Sequence, residues 1–266
     1  MQLAVDTHVH IYPFYRVERA LRAILKNLGM GNQSGVKVAC LTERYDCDLY
    51  ASLQKSPSAQ ILEQFEIEPT QDSLIVRDKS REDQFHLLPG QQIITSENIE
   101  ILALSCTKRV DEGQPAADTV SAILDAGGVP VVAWAPGKWF FQRGRVVVSL
   151  LDRFGPSELA LGDTTLRPIG WTTPKIISDA RKSGYRILYG SDPLPFVGEE
   201  NRPGSYFSNI EIDSGNSTTT NNPGQIISQL LTMDVKISAA GTRGSLPEVL
   251  LRLYRNNRAP KPSRET

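Results

Sequence analysis

The stretch Leu3-Ala-Val-Asp6-Thr-His8-Val-His10 decides how the rest of the chain is interpreted. Its three apolar residues form a short strand-like run that leads directly into a polar motif. Side chains two residues apart on a strand point to the same face, so His8 and His10 can aim at one point just beyond the strand, on the face that also carries Asp6. Two neutral imidazoles at that spacing form half of a site for a divalent metal ion. The alternative is a pair of hydrogen-bonded histidines in a packed interior.

Short apolar runs alternate with helix-like segments over about seven units along the chain. This alternation favours an α/β fold, a parallel sheet closed as a distorted (β/α)7 TIM-like barrel. A turn cluster at Pro69-Thr-Gln-Asp72 predicts a small β-hairpin insertion near residues 61–80. We expect one barrel domain over residues 1–258, a long polar loop over 193–223 and a flexible tail over 259–266. Barrel strands are predicted at 3–5, 36–41, 86–88 and 92–95 (separated by Pro89-Gly90), 99–104, 129–134, 159–161 and 186–189.

The composition narrows the class of protein. Of the 266 residues, 40% are apolar and 22% are charged, which is typical of a globular chain. The 29 basic and 30 acidic side chains nearly balance, so neither a nucleic acid nor a membrane is expected as a partner. Three cysteines, no long apolar run and no signal-peptide pattern predict free thiols in a cytoplasmic protein. The chain has only 3 histidines, which excludes a site built from many imidazoles.

Gly190-Ser-Asp192 closes a predicted strand late in the chain. Active sites of parallel barrels lie at the carboxyl ends of the strands, where Asp192 could join the two histidines. A carboxylate there can ligate a metal ion or accept a proton during catalysis, the alternative being an ordinary turn before Pro193. Glu43 and Asp163 stand at the ends of two other predicted strands. Both are further candidates for a catalytic base, with a helix cap as the alternative for Asp163.

Five stretches share the motif order of a known family: Asp6-Thr-His-Val-His10, Ala39-Cys-Leu-Thr-Glu-Arg44, Leu88-Pro-Gly-Gln-Gln92, Ala126-Gly-Gly-Val-Pro-Val-Val-Ala-Trp-Ala-Pro136 and Tyr189-Gly-Ser-Asp192. Together they resemble the polymerase-and-histidinol-phosphatase (PHP) family over roughly residues 1–195. The resemblance implies a distorted seven-stranded barrel, up to three metal ions and hydrolysis of phosphoesters. More distantly the chain resembles the amidohydrolases, which share the opening His-x-His and a late Asp.

The resemblance implies a first metal ion held by His8, His10, Asp192 and an acidic residue after the Pro-Gly step. This chain has glutamine there, and the sequence does not decide between Gln91 and Gln92; Gln92 is the predicted ligand. A glutamine oxygen is neutral and does not normally bridge two ions. We therefore expect one divalent transition metal, Zn²⁺, Mn²⁺ or Fe²⁺, or none. Other residues replace the family's remaining ligands, at Glu43-Arg44, Glu100, Trp134 and Leu194.

Basic residues stand at or near the positions of the missing ligands. Arg44 and Lys138 could hold the oxygens of a small anionic, phosphorylated ligand without the lost ions. The alternative for Arg44 is a structural ion pair with Glu43 or Asp46. Two further candidates for the substrate site, each with packing alone as its alternative, are Arg167 and Trp134.

These observations support two functions. The first is a metal-dependent hydrolase of phosphoesters with a mononuclear centre, since three protein ligands suffice for a catalytic metal. The second is a catalytically inactive descendant of such an enzyme that binds an anionic or phosphorylated ligand, as the loss of the bridging acid indicates. Hydrolysis of amides or lactones, as in the amidohydrolases, is a third alternative. Metal occupancy at the two histidines separates the first two.

Overall fold

The computed structural model describes residues 1–29, 35–55, 62–212 and 222–259. Within these residues the chain forms eleven strands and seven α-helices. The strands are β1 (Gln2–Val9), β2 (Val36–Glu43), β3 (Phe65–Pro69), β4 (Leu74–Asp78), β5 (Gln84–Ile94), β6 (Glu100–Leu104), β7 (Val129–Ala133), β8 (Ala160–Thr164), β9 (Ile187–Gly190), β10 (Tyr206–Ile212) and β11 (Val235–Gly241). The helices are α1 (Val17–Gly29), α2 (Leu49–Lys55), α3 (Ala116–Asp125), α4 (Gln142–Arg153), α5 (Lys175–Lys182), α6 (Pro223–Ser228) and α7 (Leu246–Arg258).

One sheet curls into a nearly closed barrel, in the strand order β11-β10-β1-β2-β5-β6-β7-β8-β9. The predicted α/β barrel is confirmed, and β3 and β4 form the predicted hairpin, with β4 paired to β5. The sheet is not wholly parallel, because β6 runs antiparallel to both β5 and β7. The connection between β5 and β6 spans only residues 95–99. That is too short for the crossover that a parallel pair requires.

The barrel closes where β9 meets β1. The hydroxyl of Thr7 donates to the carbonyl of Tyr189 at 3.0 Å, and the N–H of Asp192 donates to the carbonyl of His8 at 2.9 Å. β10 pairs antiparallel with the first half of β1, and its Ser208 hydroxyl accepts the N–H of Tyr189 at 2.8 Å. Closure therefore brings the late Asp motif beside the opening His motif.

Alternate side chains along the barrel strands face its interior. One apolar cluster takes residues from β1, β2 and β5–β10 and packs against α6, so it fills the barrel. Two other clusters lie outside, between the sheet and the surrounding helices and hairpin. Val131 and Ala133 of β7 belong to the interior cluster, whereas Val132 and Trp134, the residue that follows β7, belong to an outer one. This alternation decides which strand-end residues reach the mouth of the barrel.

The prediction that Pro89-Gly90 separates two strands is wrong, since both residues lie within β5. At this point β5 changes its antiparallel neighbour, from β4, which pairs as far as Leu87, to β6, whose pairing begins at Gly90. Pro89 has no backbone N–H, and at its position β5 is paired with neither β4 nor β6, so no hydrogen bond to these two strands is lost. The lack of a side chain at Gly90 is also required, because a Cβ there would lie 2.8 Å from the carbonyl oxygen of Ala103.

The long loop predicted over 193–223 is also wrong within the described residues. It contains a 3-10 turn at Glu199–Asn201 and the strand β10, while residues 213–221 lie outside the described part of the chain. Glu199 and Glu200 are each 3% exposed rather than solvated. The polar residues Ser208 and Asn209 interrupt the apolar pattern of β10, and the sequence pattern therefore did not predict a strand there.

Three remaining expectations concern the cysteines, the membrane and the tail. The cysteines Cys40, Cys47 and Cys106 are all buried and free, as predicted. A search of the described residues finds no helix with the length and apolarity needed to cross a membrane. Of the predicted tail only Ala259 is described, and residues 260–266 lie outside the described residues. The assignment of residues 1–258 to one domain stays a prediction.

Candidate metal centre

A bulge in β1 brings the two histidines of the opening motif to the barrel mouth. Val5 packs inside the barrel, and simple alternation would place Val9 there too, yet Val9 packs in an outer cluster. The pairing of β1 with β2 shifts register between Asp6 and Val9, which supplies the change of face. His8 and His10 therefore point inward, 2% and 3% exposed.

Four buried donor atoms converge at this point. The Nε2 atoms of His8 and His10 lie 3.0 Å apart, and Oε1 of Gln92 lies 3.0 Å from the first and 3.2 Å from the second. Oδ1 of Asp192 lies 3.6 Å and 3.9 Å from the same two nitrogens. The structure thus brings together all four residues that were predicted as metal ligands.

The side chain of Gln91 takes no part in this cluster. It points away from the barrel mouth and exchanges two hydrogen bonds with the backbone of Val110, at 2.8 Å and 3.0 Å. Gln92 lies at an even-numbered position of β5, like Leu88 in the interior cluster. Strand alternation therefore selects Gln92 over Gln91.

The spacing of the four donor atoms fits a single metal ion. Ligand atoms about 2.0–2.1 Å from a tetrahedral ion lie roughly 3.3–3.4 Å from one another. The separations that involve the two histidine nitrogens, 3.0–3.9 Å, lie on both sides of that value. A neutral imidazole is the form that binds a metal. Burial, together with the neighbouring His8 and Arg44, holds the pKa of His10 well below its usual value and keeps its ring neutral.

Three of the four donor atoms form a close triangle. Nε2 of His8, Nε2 of His10 and Oε1 of Gln92 lie 3.0–3.2 Å from one another. When both Nε2 atoms are unprotonated, each of the three atoms offers a lone pair that a metal ion could accept.

Asp192 is held in an uncommon backbone conformation. Its φ is +48°, in the left-handed region that few residues other than glycine adopt. The N–H donates to the carbonyl of His8, and the Asp192 carbonyl accepts from Arg252 Nη2 at 3.2 Å. Burial raises the pKa of the Asp192 carboxyl group. Such strained residues concentrate at functional sites, where the surrounding structure holds them in place.

Asp6 does not join the cluster, although it precedes His8 by two residues. One carboxylate oxygen accepts the backbone N–H groups of His8 and Ser191 at 3.1 Å and 2.9 Å, and the other accepts the N–H of Gly204 at 2.7 Å. The bulge that turns His8 inward separates Asp6 from its face. Burial raises the pKa of Asp6 to about 6. Asp6 therefore fastens β1 to the segments around it.

A cavity of about 520 Å³ is lined by three of the four cluster residues, His10, Gln92 and Asp192. Arg44 and Lys138, both predicted to bind an anion, line it. Each is also paired, Arg44 with Asp46 at 3.3 Å and Lys138 with Glu100. The guanidinium of Arg44 additionally lies 5.7 Å from the centre of the Tyr12 ring. The predicted ion pair of Arg44 and its place at the site therefore coexist.

Three predicted site residues face away from the cavity because each lies one residue out of step with an inward position. Glu43 accepts the N–H of Tyr50 at 3.2 Å at the start of α2, and burial raises its pKa. Trp134 packs in an outer apolar cluster. Asp163 is 1% exposed and bound to other side chains. The structure thus gives none of the three the contacts that the predicted roles require.

Arg167 is likewise engaged elsewhere. Its Nε and Nη2 donate to the two carboxylate oxygens of Asp163 at 2.9 Å and 2.6 Å, and Nη1 donates to the carbonyl of Trp171 at 2.9 Å. The hydroxyl of Tyr206 completes the group with a 3.2 Å bond to Asp163. This buried ion pair fastens β8 and β10 to the loop after β8, and it is not part of the cavity lining.

Five polar side chains of the cavity were given no predicted role: Tyr12, Tyr45, Glu100, Glu112 and Asn256. Glu100 was named only as the replacement for a lost ligand, although it has the same parity as the inward-facing Leu102 on β6. Asn256 lies on α7, and only the packing of that helix across the barrel mouth places it there. No local pattern carries that information.

The comparisons with known proteins bear on the fold. No family model and no curated protein sequence matches the chain. Among solved structures, PsfC from Pseudomonas syringae is similar with a TM-score of 0.59 and 12% identity, over 97% of this chain and 98% of that one. The chain has the fold of a PHP-type barrel. At this identity the likeness concerns the fold alone.

Two further similar structures belong to larger proteins. The lesion-specific endonuclease PfuEndoQ from Pyrococcus furiosus matches with a TM-score of 0.52 and 14% identity, over 91% of this chain and 59% of that one. Endonuclease Q in complex with a 27-mer duplex carrying an abasic lesion matches with 0.51 and 12%, over 91% and 60%. This chain therefore spans about three fifths of the length of either endonuclease chain.

Proposed function

We propose that this protein is a metal-dependent hydrolase of small phosphoesters with a mononuclear centre. The observation that carries the proposal is the convergence of His8, His10, Gln92 and Asp192 at 3.0–3.9 Å. A neutral glutamine in place of a bridging acid favours one ion over two. The PHP-type barrel supports the assignment, since two of its structural neighbours are endonucleases, which cleave phosphoesters. A fold alone does not fix an activity.

The charges of the cavity indicate that an anionic substrate needs the metal ion. Among the described residues, the charged lining consists of two cations, Arg44 and Lys138, and three carboxylates, Glu100, Glu112 and Asp192. This set is net negative and would repel a phosphate group. A divalent cation reverses the sign, so the metal-dependent enzyme is favoured over an inactive protein that binds anions without metal.

Different residues of this chain have different roles in the proposed reaction. A bound Zn²⁺, Mn²⁺ or Fe²⁺ would supply Lewis-acid activation of water and of the phosphoryl group. Arg44 and Lys138 orient the phosphoryl oxygens and stabilise the negative charge that develops on them. Of the three carboxylates predicted as catalytic, only Asp192 lines the cavity and can exchange a proton with a bound molecule.

An activity screen tests this proposal. Purified protein is depleted of metal with a chelator, reloaded separately with Zn²⁺, Mn²⁺ or Fe²⁺, and assayed against phosphomonoesters, phosphodiesters, a simple amide and a lactone. We expect metal-dependent release of phosphate from a phosphomonoester or hydrolysis of a phosphodiester, lost in His8→Ala/His10→Ala. Preference for the amide or the lactone would favour amidohydrolase chemistry. Binding of inorganic phosphate by the metal-free protein, with no hydrolysis, would favour the inactive binding protein.

A further inference from the structure

Arg252, on α7, is a buried charged residue that contacts the backbone of Asp192. Its side chain is 4% exposed. Nη2 donates to the carbonyl of Asp192 at 3.2 Å, and Nη1 donates to the hydroxyl oxygen of Thr165 at 2.9 Å. That hydroxyl in turn donates to the carbonyl of Ser191 at 2.5 Å. One guanidinium therefore fixes two successive carbonyl groups, one directly and one through Thr165.

These hydrogen bonds hold a strained part of the backbone. Asp192 has a φ of +48°, and the residue before it, Ser191, is held by Asp6, which accepts the N–H of Ser191 at 2.9 Å. A strained conformation persists only when surrounding contacts over-determine it. The orientation of the Asp192 carboxylate depends on this backbone, and so does its distance to His8 and His10.

The charge of Arg252 is balanced by Glu199. The two side chains share three hydrogen bonds at 2.6–3.1 Å, and Glu199 also accepts the N–H of Leu194 at 3.1 Å. Glu199 thus holds the chain two residues after Asp192. Buried ion pairs of this kind add little net stability compared with neutral replacements, because both ions lose their hydration. Fold stability alone is therefore a weak explanation for the pair.

We propose that Arg252, with Glu199 as its counter-ion, is a positioning residue that sets the Asp192 carboxylate for metal binding. This inference rests on the proposed metal centre. It gives α7, which lies far along the chain from every ligand, a role in the geometry of the site. Neither Arg252 nor Glu199 is hydrogen-bonded to the four donor atoms, so their positioning effect passes through the backbone of Asp192 and of Leu194.

Three variants separate positioning from a merely structural role. Arg252→Lys keeps the charge but loses the fork that reaches both Asp192 and Thr165. Arg252→Met/Glu199→Gln removes both charges together, so that no uncompensated ion is left in the interior. Glu248→Gln, also on α7, is the control, because it breaks the ion pair of Glu248 with Arg202. The glutamine side chain can still accept the backbone N–H of Ser245 and so keep the helix cap. Unfolding in urea is measured for each, and each full-length protein is titrated with Co²⁺ and with Zn²⁺ against a chromophoric chelator.

We expect Arg252→Lys and the double variant to remain folded but to bind Zn²⁺ about 10–100-fold more weakly, the range typical of residues that orient metal ligands. Their Co²⁺ visible spectra should shift, while Glu248→Gln matches the wild type. Wild-type affinity and an unchanged Co²⁺ spectrum in the double variant would overturn the positioning role and leave the metal centre standing. Failure of the wild-type protein itself to bind Co²⁺ or Zn²⁺ would overturn both.

Discussion

Oε1 of Gln92 lies 3.2 Å from Nε2 of His10 and 3.0 Å from Nε2 of His8. An amide oxygen can share a metal ion with an imidazole, but it brings no charge to the site. The metal centre proposed here therefore has one anionic ligand, Asp192. The four proposed ligands thus carry a single negative charge, whereas a site with a bridging carboxylate in place of Gln92 would carry two.

Gln92→Glu should strengthen metal binding. The added negative charge at the ion lies in a buried site, where screening by water is weak, so Zn²⁺ affinity should rise about tenfold or more. Competition against a chromophoric chelator measures it. Gln91→Glu is the matched control, since Gln91 faces outward onto Val110. Equal changes in the two variants would argue against Gln92 as a ligand.

Arg44→Met should weaken substrate binding without removing the metal ion. Loss of a charged hydrogen-bond donor to a phosphoryl group costs about 1.5–3 kcal/mol, so KM for the phosphoester should rise roughly 10–100-fold. Steady-state kinetics on the metal-loaded protein measure the change. Arg77→Met serves as a control, because Arg77 pairs with Glu66 and Glu68 on the hairpin. An unchanged KM in Arg44→Met would show that Arg44 only pairs with Asp46.

Gly190→Ala should destabilise the fold at the closure of the barrel. A Cβ at this position would clash with the side chain of His8 and lie 2.7 Å from its backbone nitrogen. Overpacking of this kind costs about 1–3 kcal/mol or more. The urea midpoint measures the effect, with Gly155→Ala as a control, since a Cβ there meets no atom nearer than 3.7 Å. Equal midpoints for the two variants would contradict the close approach of β9 to β1.

His86 should make the protein less stable as the pH falls. Burial lowers the pKa of His86, whose Nδ1 lies 3.1 Å from the Ser73 hydroxyl. As the pH falls through about 6.5, the unfolded chain therefore takes up a proton before the folded one, and unfolding becomes more favourable. Urea unfolding at pH 7.5 and 5.5 should show a smaller loss of stability in His86→Gln than in wild type. An identical loss in both would contradict this assignment.

The sequence located the ends of most barrel strands to within a few residues but not which side chains point inward. Glu43, Trp134 and Asp163 lie within one residue of the ends of β2, β7 and β8 and miss the cavity by one position. Strands covered on both faces read as continuous apolar runs, so the two-residue period that would reveal the inward face is absent. His8 and His10 were located for a different reason, since their motif carries its own spacing.

Contacts between distant segments account for the rest. The bulge in β1 depends on pairing with β2, and the role of Arg252 depends on how α7 packs across the barrel mouth. The polar residues of β10 suggested a loop because their partners lie on other strands, as Ser208 does with Tyr189. Hydrogen-bond partners so far apart in the sequence are brought together only by the closure of the barrel, so no local sequence pattern indicates them.

The most direct test of the metal centre is elemental analysis of protein purified without an affinity tag. Wild type is compared with His8→Ala/His10→Ala and with His86→Gln, which alters the third histidine outside the cluster. The proposed site predicts about one equivalent of transition metal in wild type and in His86→Gln, and almost none in the double variant. No metal in folded wild-type protein, even after incubation with Zn²⁺ or Mn²⁺, would contradict it.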